Sequence, residues 1–187
     1  MDAFSYLSVL LSIILGLAIT QVLQGFGKLL QARRRVRFWW PPLVLAVMML
    51  VSFVQSWWAM FGLRDRSEWT FASFAVVVLQ TIFSYLQAAM VLPDVPPEGP
   101  VDLRESYFEH ASWFFFFVIA GTLTSLGKDL VLSGHLPEPL NVGFHLFWIC
   151  MAVIGASTRR EWFHKLAALT VAVGLTLYIV LLFTKLR

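Results

Sequence analysis

Apolar residues run along this chain in six long blocks rather than recurring at the spacing of a half-buried helix or strand. A helix needs about 20 apolar residues to cross a hydrocarbon layer about 30 Å thick. The blocks predict spans near 4–30, 38–61, 69–92, 107–132, 140–157 and 162–183, with a linker over 93–106. The expected fold is all-α, a six-helix transmembrane bundle forming one domain over 1–187.

The polar residues inside the blocks are patterned. In the first block Ser5, Ser8, Ser12, Gly16, Thr20, Gln24 and Gly27 recur three or four apart, which places them on one helix face. Ser52, Gln55 and Ser56 lie late in the second block, and Gln80, Ser84 and Gln87 share a face of the third. Such faces either pack another helix closely or line a watery path. Ser12, Gly16, Thr20, Gln24, Gln55, Gln80, Ser84 and Gln87 are therefore expected to form a pathway or a packing stripe. None of these groups titrates. Proton- or sodium-coupled carriers usually place an ionisable group mid-membrane, so the expected path is passive and uncharged. Adjacent Lys128 and Asp129 are expected to point to different faces and to reach the outer surface by snorkelling.

Proline and tryptophan punctuate the blocks. Pro41 and Pro42 suit the first turn of the second span. Trp39 and Trp40 at one end, and Trp57 and Trp58 at the other, read as interfacial belts. Pro93 to Pro100 is the one Pro/Gly-rich linker, and it leaves three spans on each side. Leu23, Gly27, Lys28 and Leu30 recur as Leu123, Gly127, Lys128 and Leu130, a faint echo of a 3+3 inverted repeat.

Composition agrees with lipid as the solvent. Charged residues make up 13% of the chain, against about 25% in soluble domains. The net charge of +3 is no sign of nucleic-acid binding, because the cations cluster at the ends of apolar blocks. Five cations fall between Lys28 and Arg37. With that turn on the cytoplasmic side, nine of the fourteen Lys and Arg residues lie inside, and both termini are expected outside, on the periplasmic side. Met1-Asp2-Ala3 lacks the basic start of a signal peptide, so the first span is expected to be retained. A single cysteine, Cys150, excludes an intrachain disulfide.

Chemistry is sparse. The sequence holds no metal-ligand spacing, nucleophile elbow or phosphate loop, so no catalytic residue, metal or cofactor is expected, and an enzyme is not the favoured reading. Glu105, Glu109, His110 and His164 form an ionisable cluster expected at the inner face. It reads either as a proton or cation site or as a solvated helix start, where acids suit the dipole. His110 with His164, and His135 with His145, fall at matching levels, which is the one arrangement that would suit a b-type haem between helices.

The segments LGLAITQ (Leu15 to Gln21), WWAMFGLR (Trp57 to Arg64) with Trp69 after it, and PVDLRESYF (Pro100 to Phe108) resemble a set of small bacterial inner-membrane proteins. The resemblance implies a multi-pass protein of the bacterial inner membrane and carries no activity. The leading expectation is a passive channel or transporter-like protein, embedded in the bilayer and forming a homo-oligomer or joining a larger membrane complex. The rival is a non-catalytic accessory or assembly subunit using the same faces for packing. A membrane enzyme or haem protein stands third.

Overall fold

The structure is a computed structural model that describes residues 3–66 and 68–182. Six helices dominate it: α1 (Ala3–Gln31), α2 (Pro41–Met60), α3 (Phe71–Val91), α4 (Leu103–Ser133), α5 (Pro139–Ser157) and α6 (Glu161–Leu182). All six are long and apolar enough to cross a membrane, which makes this an integral, multi-pass membrane protein. Phe183, Lys185 and Arg187, at the expected end of the sixth span, lie outside the described residues, as do Met1 and Asp2.

Local chemistry sets the helix ends. Pro41 and Pro42 occupy the first turn of α2, where their missing N–H groups cost nothing. Thr70 and Ser73 form a reciprocal capping box at the start of α3. Asp102 caps α4 by accepting from the Arg104 and Glu105 N–H groups. Gly134, with φ of 75°, closes α4 in the left-handed conformation that a side chain would resist. The Asp102 cap starts α4 four residues earlier than the apolar block does.

Helices α2 to α6 form a closed ring. Each packs on the next in sequence, and α6 returns to α2. Helix α1 stands outside this ring against α3 and α2. It buries Leu11, Leu15, Ala18, Val22 and Leu29, an apolar face at three- and four-residue steps. Large apolar side chains cover the outside of the bundle, among them Leu17, Val54, Trp113, Leu166 and Val173. In water such a surface would drive aggregation; in hydrocarbon it is the expected exterior.

One end of the bundle is tied together. Val36–Arg37 (β1) and Val101–Asp102 (β2) pair as a two-residue parallel bridge. The Val101 N–H donates to Arg35 O at 3.0 Å. Arg35 donates to Gly99 O at 2.6 Å and to Pro96 O at 3.3 Å. Lys28 pairs with Asp94, and Arg104 with Glu161. The turn cations thus hold the proline linker as well as marking an end of the bundle, which is called the basic end below.

Candidate functional site

Two adjoining, partly open chambers lie between the helices. The outer one, about 810 Å³, reaches the end opposite the basic end, where Gly62, Leu63, Ser133, His135 and Glu138 form its rim. The inner one, about 230 Å³, lies deeper between α2, α3, α4, α5 and α6. Gln55, Ser56, Gln80, Ser84, Ser125, His145 and Tyr178 belong to the walls of both and form a polar collar between them. Below the collar the walls are mostly apolar, with Met48, Met49, Phe53, Phe115, Trp148 and Met151, interrupted by Ser52, Gln87 and Thr122.

Much of the collar's hydrogen-bonding capacity is spent internally. Ser84 donates to Gln80 O, and Tyr178 donates to the side-chain oxygen of Asn141 at 3.3 Å. His145 Nδ1 lies 2.8 Å from Asn141 O and its Nε2 lies 3.1 Å from Ser125 Oγ. A carbonyl only accepts, so Nδ1 carries the proton and Ser125 donates to Nε2. Deeper in, the Gln87 amide crosses Gly121 to donate to Phe117 O at 3.0 Å, joining α3 to α4. The carboxamides of Gln55 and Gln80 have no protein partner among the described residues.

Aromatic side chains pack together at the basic end. Trp39 and Tyr107 rings sit 5.1 Å apart, Tyr107 and His164 5.2 Å, Phe108 and His164 4.9 Å, and Phe115 and His164 5.9 Å. The Tyr107 hydroxyl donates to His164 Nδ1 at 2.9 Å, and His164 Nε2 donates to Thr158 O at 2.9 Å. The Trp39 indole N–H is buried in this seal without a partner. No residue of the Arg33–Arg37 turn lines either chamber.

The sequence-derived residues fall into three groups. Gln55, Gln80, Ser84 and Gln87 do line the chambers. Ser12, Gly16, Thr20 and Gln24 do not: they are exposed on the outer side of α1, and Thr20 bonds only to Gly16 O of its own helix. The apolar face of α1 is the one that packs inward, because α3 offers it an apolar partner. The ionisable cluster at the inner face does not converge. Glu105 and Glu109 are exposed, His110 bonds to Ser106 O, and His164 is buried with both nitrogens engaged. With His145 likewise committed, the pairing of His135 with His145 or of His110 with His164 presents no pair of free nitrogens for a haem iron. Among the described residues no group of His, Cys, Asp and Glu is placed to hold a metal ion.

Trp39 belongs to the seal, not to an interfacial belt, because α2 begins at Pro41 and turns the preceding indole inward. Lys128 and Asp129 both line the outer chamber, so its wall is not uncharged. Neighbours on a helix diverge by about 100°, and a chamber this wide accepts both. Ser125, Asn141, His145 and Tyr178 were not anticipated as lining residues. Ser125 with Lys128 and Asp129, one helical turn apart, was the available signal.

Comparison with known proteins gives no match: no family model, no curated protein and no solved structure is significantly similar to this chain.

Proposed function

We propose that this chain is a transporter-like membrane protein that admits a small solute to the ring interior from the end opposite the basic end. The observation that carries the reading is a pair of adjoining chambers whose rim lies at one end, with a packed aromatic cluster at the other, and with the unpartnered amides of Gln55 and Gln80 in the wall. A packing core would have filled that space, since interiors reach the density of organic crystals. Amides without partners inside a bilayer call for water or a ligand.

The seal has the features of a gate in its closed state. It rests on few polar bonds, and it buries an indole N–H at Trp39 without a partner, as Trp69 does before α3, each at a cost of about 1–3 kcal/mol. If the basic end is cytoplasmic, as the cation bias favours, the open mouth faces the outer side. On this reading the fold is a passive or exchanging pathway, not a coupled pump.

The test is flux. Purified protein in liposomes should accelerate entry of at least one class among neutral, anionic, cationic and zwitterionic small solutes. Ser84→Trp, which fills the collar, should return that rate to the level of empty liposomes. Flux that persists unchanged in the Ser84→Trp protein would rule out the chamber as the route, and no flux for any class would end the transport reading.

The outward stripe of α1 favours a second, compatible role. Ser12, Gly16, Thr20 and Gln24 meet no other helix, and a Cβ added at Gly16 or Gly27 would touch nothing. Small and amide residues on a lipid-facing side suit close helix association, either with another copy of the chain or within a larger complex. Cross-linking of Gly16→Cys across chains tests this directly; monomeric protein with no cross-link in native membranes would contradict it.

A further inference from the structure

We propose that the two chambers together bind a zwitterion carrying one compact apolar group, of the kind a free aromatic or branched amino acid presents. The proposal rests on the transporter-like reading only for the route of access, and it stands on observations of its own. Lys128 and Asp129 line the same outer chamber, and neither makes an ion pair or hydrogen bond among the described residues. The five ion pairs among the described residues all involve other side chains. The two opposite charges act on each other through space without direct contact, so each keeps hydrogen-bonding capacity that a group of matching charge could meet.

A simple anion would leave Asp129 opposing it, and a simple cation would leave Lys128 opposing it. A molecule bearing both charges satisfies both: its carboxylate meets the Lys128 ammonium, and its ammonium meets Asp129. Glu138 and His135 stand at the rim, and His145 and Tyr178 face the same space. Both of the latter already have neutral hydrogen-bond partners, which leaves Lys128 and Asp129, about one turn in from the Ser133 rim, as the charges on that stretch of α4. The Gln55 and Gln80 amides lie just inward, free to complete the hydrogen bonding of the head group.

The inner chamber selects the other half of the ligand. It is walled by Phe53, Trp148 and the thioethers of Met48 and Met151, and holds about 230 Å³. An apolar cavity of about 150 Å³ accepts benzene, so this one suits a phenyl, indolyl or branched alkyl group. Methionine walls adapt to such shapes.

The test is calorimetric titration of purified protein in detergent with L-tryptophan, tryptamine (no carboxylate), indole-3-propionate (no ammonium) and indole. Tryptophan should bind at least tenfold more tightly than each of the other three. Lys128→Met should abolish the advantage over tryptamine, and Asp129→Asn the advantage over indole-3-propionate. Lys128→Arg, which keeps the charge, should retain it and guards against a folding defect. Equal binding of tryptophan and either single-charge analogue, or no binding by any, overturns the proposal. Tryptophan bound but not moved into liposomes sinks the transport reading alone. Flux of another solute class without tryptophan binding sinks this proposal alone.

Discussion

Gly155 lets α5 pack directly against the Phe115 ring of α4. A Cβ placed there would meet the Phe115 ring at 2.5 Å. That ring is buried and held between Phe114 and His164, so it has little room to retreat. Gly155→Ala should therefore destabilise the protein by about 1–3 kcal/mol, the usual cost of overpacking. Gly16→Ala, facing open space, should leave the unfolding midpoint in detergent unchanged. Equal midpoints for the two variants would show that the helices are not this close. Gln87→Leu removes the bond to Phe117 O that crosses Gly121, and should cost about 0.6–2 kcal/mol in the same assay.

At the scale of elements, the short β1–β2 bridge and the Asp102 cap fix where α4 begins. The hydrogen bond from the Glu105 N–H is the largest influence on the Asp102 carboxyl and lowers its pKa. A desolvation cost opposes it, while the Arg104 N–H and Arg37 assist. A carboxyl lowered in the folded state adds stability above its unfolded value and loses it as pH falls through the folded one. Protection of the backbone amides at Val101 and the first turn of α4, taken relative to the intrinsic exchange rate at each pH, should accordingly fall in acid, and Asp102→Asn should blunt that dependence. The cap outweighs the ion pair. The Arg37 side chain is 81% exposed, and such pairs contribute about 0–1 kcal/mol, whereas losing a cap costs about 0.5–2 kcal/mol. Arg37→Ala should be nearly silent where Asp102→Ala is not. A larger effect from Arg37→Ala would contradict this ranking.

At the scale of the whole molecule, the six spans could be read from the sequence because length and hydropathy are enough to decide them. The lining of the ring could be read only in part. Gln55, Gln80, Ser84 and Gln87 stand out as polar islands in apolar runs, and they do face the chambers. The stripe on α1 has the same appearance but points outward, because periodicity shows that residues share a face and not which neighbour that face meets. Only the closure of α6 onto α2 puts α1 outside the ring, and no local pattern encodes it. The seal escaped notice for a similar reason: Trp39, Tyr107 and His164 are distant in sequence and meet through tertiary packing alone. The bridge between Val36 and Val101 likewise lies within two short segments that carry no strand signal of their own.

The central claim is that water enters the helix ring from one end only. It is tested most directly by thiol accessibility in proteoliposomes, with Cys150→Ser as the background. A membrane-impermeant thiol reagent should modify Ser56→Cys from the face opposite the Arg33–Arg37 turn and not from the other, and should leave Ser12→Cys unmodified from both. Modification of Ser56→Cys from the basic face, or faster modification of Ser12→Cys than of Ser56→Cys, would contradict the account.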